Sequence, residues 1–172
     1  MENVMQEVLI DKLVVNMGVG ESGIRLNNGE KILKEITGQT PVRTISKRTR
    51  QPFNIKKGES IGCKVTLRKE RAENFLRNAL AIHENMISDY QFDETGGFSF
   101  GIEEHTDFEG MEYDPDIGIF GMDVSVSLRR RGYRVARRKQ NRRKIPARHK
   151  VTREDAMKFL EDVFGVTIVE WE

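Results

Sequence analysis

The segment Ile61-Gly62-Cys63-Lys64-Val65-Thr66-Leu67-Arg68 alternates apolar residues with polar or small ones, and it decides the fold. This two-residue period predicts a β-strand with one buried face and with Lys64, Thr66 and Arg68 on the open face. Directly after it, apolar residues recur at spacings of three and four from Ala72 to His83. That spacing predicts a helix of about four turns, which covers one face of a sheet.

The rest of the chain repeats these two patterns in an irregular order. Further strands are predicted at 8–17, 98–102, 122–128 and 166–171, and residues 41–46 are predicted to be extended. A helix is predicted from the possible caps Asn27 and Asn28 to Gly38, and another from the capping box at Thr152 to Gly165. Because strands and helices do not alternate strictly, we predict an α+β fold.

In this fold a largely antiparallel sheet carries helices packed on one face, and basic loops extend from it. The length of 172 residues predicts one domain, residues 1–172. With 33% charged and 37% hydrophobic residues, a core can form beneath a heavily charged surface. The lone Cys63 excludes an intramolecular disulfide and favours a reducing, cytoplasmic compartment, and no apolar run is long enough for a membrane span.

The net charge of +2 hides two blocks of opposite sign. Residues 78–128 contain twelve Asp or Glu and no Lys or Arg, and they include an acidic loop, residues 103–118. Residues 124–152 contain twelve Lys or Arg and no acid, and they include a basic segment, residues 129–150. A second cationic stretch, the basic loop at residues 47–58, has no apolar period. Such separation predicts partners of opposite charge.

The basic segment favours RNA as its partner. Its cations have no counter-charge within the segment, so they repel one another, and bound phosphates would relieve that repulsion. Arginine outnumbers lysine there, and its planar fork suits phosphates and bases. A membrane surface is less favoured because no apolar face at helical spacing accompanies the charges. The candidate RNA contacts are Arg129, Arg130, Arg131, Arg134, Arg137, Arg138, Arg142 and Arg143.

Gly18, Gly20 and Gly23 match the glycine fingerprint of a dinucleotide site. That fingerprint also needs an acidic residue about twenty positions later, and residues 36–58 contain none. A glycine loop that lets the backbone approach RNA is therefore the favoured interpretation. A nicotinamide-dependent oxidoreductase stays as a weaker alternative.

Other catalytic or metal chemistry finds little support in the sequence. His83 lies on the apolar helix face and is predicted to be a core residue. His105 stands near three acids, Glu103, Glu104 and Asp107, but nothing fixes three ligands on one rigid element. No serine or cysteine is recognisably paired with a histidine and an acid. We therefore predict no metal, no cofactor and no enzymatic activity.

Six motifs follow one another along the chain: Val14-Val15-Asn16-Met17-Gly18-Val19-Gly20, Thr37-Gly38-Gln39-Thr40-Pro41-Val42, Val65-Thr66-Leu67-Arg68, Phe98-Ser99-Phe100-Gly101-Ile102, Tyr113-Asp114-Pro115 and Gly118-Ile119-Phe120-Gly121-Met122-Asp123-Val124. In this order and spacing they resemble the large-subunit ribosomal protein "L five" family. The continuation through Arg131-Gly132-Tyr133 and Ala147-Arg148-His149-Lys150 resembles the archaeal or eukaryotic form, and the modest length favours an archaeon. Lys69 departs from the family, which often has glycine there, so the turn is expected to differ.

The resemblance implies a non-enzymatic protein that attaches 5S rRNA to the large ribosomal subunit, in the central protuberance. The implied partners are 5S rRNA, 23S-type rRNA, P-site tRNA, a small-subunit head protein and neighbouring 5S-binding ribosomal proteins. The implied 5S contacts are Asn16, Gln39 and Thr66, with charge supplied by Arg43, Lys64 and Arg68. The implied tRNA-facing residues of the basic loop are Lys47, Arg48, Arg50, Gln51 and Phe53.

The acidic loop is expected to face protein, because its carboxylates repel phosphates. The implied contacts with the small-subunit head protein are Glu103, Glu104, Asp107, Glu109 and Glu112. A stand-alone RNA chaperone or regulator that uses the same sheet is the alternative from a different class.

Overall fold

The computed structural model describes residues 3–170, which form seven strands and four helices. The strands are β1 (Val8–Gly18), β2 (Val42–Ile45), β3 (Ser60–Leu67), β4 (Met86–Ser88), β5 (Gly97–Ile102), β6 (Met122–Arg130) and β7 (Thr167–Val169). The helices are α1 (Ile24–Thr37), α2 (Glu70–Ile82), α3 (Arg134–Arg137) and α4 (Arg153–Phe164). None of these helices is long and apolar enough to cross a membrane.

Five strands form one sheet in the order β2-β3-β1-β6-β5, and every neighbouring pair is antiparallel. The long β1 lies at the centre. The predicted α+β class with a largely antiparallel sheet is therefore confirmed. The short strands β4 and β7 form a separate parallel pair.

One face of the large sheet is apolar and lies under the helices. On β1 the residues of this face are Leu13, Val15 and Met17, each 0% exposed. The helices contribute buried leucines to the same core, among them Leu33, Leu76, Leu80 and Leu160. Fully burying such a side chain stabilises the fold by about 1.5–3 kcal/mol, so this single layer holds sheet and helices together. The opposite face of the same strands is left for other contacts.

The helix ends agree with the sequence at three of four predicted positions. Gly38 and Gly165 end α1 and α4 in the left-handed conformation, and the Thr152 capping box at the start of α4 is present. The prediction that Asn27 or Asn28 caps α1 is wrong. The helix begins at Ile24, directly after the glycine loop, so both asparagines lie inside it.

The topology rules out the dinucleotide interpretation of the glycine loop. That site needs two parallel strands connected by the helix that follows the loop. Here β1 is antiparallel to both of its neighbours, and α1 leads into the edge strand β2.

Lys69 stands where the family often has glycine, and its φ of 56° and ψ of −141° are a conformation that favours glycine. The predicted last strand forms as β7, but it pairs with β4 and not with the large sheet. The strand β4 was not predicted, because three residues are too few to show a period. The end of that predicted strand, Trp171, lies outside the described residues.

Candidate RNA interface

The face of the sheet opposite the helices, here called the open face, carries small and polar side chains. The strand register places Asn16 of β1 between Lys64 of β3 and Asp123 of β6. In the adjacent row Val14 lies between Thr66 and Ser125. These side chains are exposed or half-buried, so a ligand can reach all of them from one side. Their small size gives a backbone or sugar close access to the sheet.

Five of the six predicted 5S contacts are grouped around this face. Asn16, Lys64 and Thr66 lie on it directly, and Arg68 follows two residues beyond Thr66. The side-chain amide of Gln39 donates to the Thr66 carbonyl oxygen at 3.4 Å, so the loop after α1 is joined to the same strand.

Arg43 lies on the other side of the sheet. Its register partner is Cys63, which is 0% exposed beneath α1. The Arg43 guanidinium donates to the Glu30 carboxylate at 2.7 and 3.0 Å and to the Asn27 side-chain oxygen at 3.0 Å. Both partners belong to α1, which favours a role for Arg43 in holding this helix against β2.

At the end of the open face three arginines contact one buried acid. The Asp11 side chain is 3% exposed and lies at a β-bulge between β1 and β6. Arg137 donates to both of its carboxylate oxygens, at 3.0 and 2.6 Å, and Arg129 lies 3.2 Å from one of them. Arg68 donates to the Asp11 carbonyl oxygen at 2.9 Å. The Arg137 hydrogen bonds outweigh the cost of burial and lower the pKa of Asp11, so the carboxylate stays ionised.

Acids from other parts of the chain therefore neutralise some arginines of the basic segment. Besides the contacts with Asp11, Arg130 pairs with Asp155 at 2.7 Å and Arg131 pairs with Glu7 at 2.8 Å. The remaining four predicted contacts are exposed and, within residues 3–170, pair with no acid; they are Arg134, Arg138, Arg142 and Arg143. These four are the better placed cations for long-range attraction of RNA.

The basic loop forms a hairpin that continues β2 and β3. Arg50 and Ile55 exchange backbone hydrogen bonds of 2.8 and 3.2 Å near its tip. A single turn of 3-10 helix, Gln51–Phe53, closes the loop, and the Phe53 side chain is 73% exposed. The five predicted tRNA-facing residues, Lys47, Arg48, Arg50, Gln51 and Phe53, are all exposed. An exposed aromatic ring among cations is suited to stacking on a nucleic-acid base.

The acidic loop is anchored to the core while its carboxylates face outward. Phe108, Phe120 and His105 are buried, and the Phe120 backbone N–H donates to His105 Nδ1 at 3.3 Å. Burial lowers the pKa of His105, which keeps the ring neutral as that hydrogen bond requires. The five predicted protein contacts, Glu103, Glu104, Asp107, Glu109 and Glu112, are all exposed.

The histidines hold structural positions. His83 is only half-buried, in contrast to its prediction as a core residue, because it ends α2 and its Nε2 lies 2.8 Å from the Gly101 carbonyl oxygen. Within residues 3–170, no three His, Cys, Asp or Glu side chains form a group that could hold a metal ion.

Comparison with protein families identifies the chain. Residues 3–56 match the family model "Ribosomal protein L5", and residues 60–159 match the model of the C-terminal region of the same family. This chain belongs to the ribosomal protein L5 family. The family is structural, so the chain is a cytoplasmic ribosomal protein and not an enzyme.

Archaeal members of the L5 family are similar over almost their whole length. "Large ribosomal subunit protein uL5" of Methanoculleus marisnigri is 57% identical over 164 residues, which cover 95% of this chain and 98% of the relative. The protein of the same name from Methanococcoides burtonii is 55% identical over 168 residues, 98% of this chain and 99% of the relative. That of Thermoplasma volcanium is 50% identical, covering 97% and 99%. The prediction of an archaeal-type member is confirmed.

Two residues that border the candidate RNA interface were not predicted from the sequence. Asp11 is the one acid among the apolar residues at the start of β1, and an acid inside a predicted strand was a signal that could have been followed. Tyr90 borders a shallow depression of the open face beside Asn16 and Ser99 and is 63% exposed. It comes from a single 3-10 turn, which leaves no periodic pattern in the sequence.

Proposed function

We propose that this protein is the component of the large ribosomal subunit that attaches 5S rRNA in the central protuberance, and that it binds this RNA with the open face. The observation that supports the proposal most is the arrangement of Asn16, Lys64 and Thr66 in adjacent rows on an uncovered sheet face. Uncharged side chains there can form hydrogen bonds with phosphates and 2′-hydroxyl groups, and the cations beside them add long-range attraction.

The basic segment extends this surface. Arg68 at the end of β3 and Arg129 at the end of β6 lie within 3.7 and 3.2 Å of the same carboxylate oxygen. The predicted 5S surface and the basic segment are therefore neighbours in space. We assign Arg134, Arg138, Arg142 and Arg143 to rRNA beyond this junction, either 5S or 23S-type, near the neighbouring 5S-binding ribosomal proteins.

The basic loop serves a different RNA in this proposal. Its tip is built by Gln51–Phe53, away from the paired part of β2 and β3. The exposed Phe53 ring and the exposed guanidinium groups of Arg48 and Arg50 suit the P-site tRNA.

The acidic loop faces protein in this proposal. Within the described part of the chain, none of its five candidate carboxylates forms an ion pair, so they are available to an external cation. A basic small-subunit head protein is the partner we propose. Exposed ion pairs contribute only about 0–1 kcal/mol each, so such a contact tolerates rotation of the subunits.

The proposal is tested by the specificity of RNA binding. Asn16→Ala and Thr66→Ala should each weaken binding to 5S rRNA by about 1–3 kcal/mol while leaving binding to an unrelated RNA of equal length unchanged. Asn28→Ala, on α1 at the other side of the sheet, is the matched control and should change neither. Equal losses on both RNAs would contradict the assignment of the open face. Absence of the protein from ribosomal fractions would favour the stand-alone chaperone.

A further inference from the structure

The arginines around Asp11 come from three separate parts of the chain. Arg68 follows β3, Arg129 lies in β6, and Arg137 ends the short helix α3. Asp11 is 126 residues away from Arg137, so this acid connects the start of the central strand to the basic segment. The contact fixes the position of the basic segment beside the open face.

Asp11 leaves much of the hydrogen-bonding capacity of these arginines unused. The side chains of Arg68, Arg129 and Arg137 are 55%, 38% and 57% exposed, although the acid between them is buried. Each guanidinium carries five N–H donors, and only Arg137 uses two of them on the carboxylate. Within residues 3–170 no second acid contacts the three groups, and Arg129 Nε, which lies 3.2 Å from Asp11 Oδ1, forms no hydrogen bond with it. Three cations around one anion leave a net charge of about +2.

A single phosphate matches this arrangement. Without Asp11 three guanidinium groups at this distance would repel one another and separate, and the positive charge would no longer be concentrated at one place. With it, the donors are already oriented before a ligand arrives, which reduces the ordering cost of binding. Arginine forks are suited to the oxygen atoms of phosphate.

We propose that Asp11 is a positioning residue that holds Arg68, Arg129 and Arg137 as a preorganised site for one RNA backbone phosphate. The inference rests on the proposed function, since it names a subsite of the same interface. It makes an unusual prediction: removing a negative charge from the protein weakens its binding to a polyanion.

The test compares Asp11→Asn with Glu7→Gln on the full chain, using transcribed 5S rRNA and an unrelated RNA of equal length as probes. Both variants add one positive charge, and both free an arginine of the basic segment, because Glu7 pairs with the exposed Arg131. A simple count of charges predicts tighter RNA binding by both. We expect Asp11→Asn to bind 5S rRNA about tenfold more weakly, and its log–log salt slope to fall by about one. Glu7→Gln should bind as well as the wild type or slightly better.

A second variant separates this result from a loss of folding. Arg68→Lys keeps Asp11 paired with Arg137 and keeps the charge, but it removes the planar fork. We expect it to bind 5S rRNA several-fold more weakly with an unchanged melting temperature. The inference is overturned if Arg68→Lys binds like the wild type, or if a folded Asp11→Asn variant binds as tightly as Glu7→Gln.

Failure of the proposed function gives a different result. In that case the wild type binds the two RNAs equally well. The affinities of Asp11→Asn and Glu7→Gln are then compared on the unrelated RNA. Weaker binding by Asp11→Asn alone would still support the phosphate site, and equal affinities of the two variants would overturn it.

Discussion

Lys64 and Arg43 are cations from neighbouring strands, but the sheet separates them. Lys64 lies on the open face beside Asn16, whereas Arg43 reaches across the other face to Glu30 of α1. The family resemblance implies that both supply charge for 5S rRNA. From the structure we expect Lys64→Ala to weaken 5S binding and Arg43→Ala to leave it unchanged.

The size of both effects follows from these environments. In the proposed 5S interface Lys64 contacts one phosphate, so Lys64→Ala should lower the log–log salt slope of 5S binding by about 0.7–0.9. Such a slope change corresponds to about five- to eightfold weaker binding at 0.1 M salt when affinities at 1 M salt are equal. Arg43→Ala should leave the slope unchanged. It breaks an ion pair whose side chains are 50% and 27% exposed, which contributes about 0–1 kcal/mol to folding.

Fluorescence anisotropy with labelled 5S rRNA at several salt concentrations gives the slopes, and thermal unfolding of the same samples gives the stability. For a chain of this length a loss of 1 kcal/mol lowers the melting temperature by about 2–4 °C. Arg43→Ala should show at most this small decrease. A slope that falls as much for Arg43→Ala as for Lys64→Ala would refute the division of the sheet into an RNA face and a helix face.

Three further predictions concern other parts of the molecule. Combined Arg48→Ala and Arg50→Ala should leave 5S binding intact but weaken P-site tRNA retention on assembled ribosomes; loss of 5S binding would place the basic loop in the 5S site. A crosslinker on Glu109→Cys should reach a small-subunit protein in assembled ribosomes, and exclusive crosslinks to rRNA would contradict the role of the acidic loop. Lys69→Gly should relieve positive-φ strain of about 1–3 kcal/mol, partly offset by the greater entropy of unfolded glycine, and raise the melting temperature by about 2–4 °C. A lower melting temperature would show that Lys69 is not strained.

Long, regularly patterned elements of this fold could be predicted from the sequence. From Cys63 to Leu67 the strand β3 buries alternate residues as its two-residue period indicates, and α4 begins and ends at its predicted caps. Local interactions determine these features, so a local pattern reveals them. The four residues of β2 are too few for a period, and a bulge interrupts its pairing, so the face occupied by Arg43 was not predictable.

The candidate site was predictable as a set of residues but only partly as an arrangement. Lys64 and Thr66 were placed correctly on the open face because β3 has a clear alternation, whereas the position of Asn16 beside them follows only from the pairing of β1 with β3. The contact between Asp11 and Arg137 depends on tertiary packing between distant segments, and no local pattern contains it. For the same reason the ion pairs of Arg130 with Asp155 and of Arg131 with Glu7 were not predicted from the charges of residues 124–152 alone.

A single crosslinking measurement tests most directly whether the open face binds 5S rRNA. The native Cys63 is buried, and burial raises the pKa of its thiol to about 11, so an introduced cysteine can be labelled selectively. Ser125→Cys places a photoactivatable crosslinker in the middle of the open face, next to Val14, and Glu35→Cys places the same group on α1 as a control. In assembled large subunits the probe at residue 125 should crosslink to 5S rRNA, and the probe at residue 35 should not. Crosslinks from residue 125 that reach only 23S-type rRNA or protein would contradict the account.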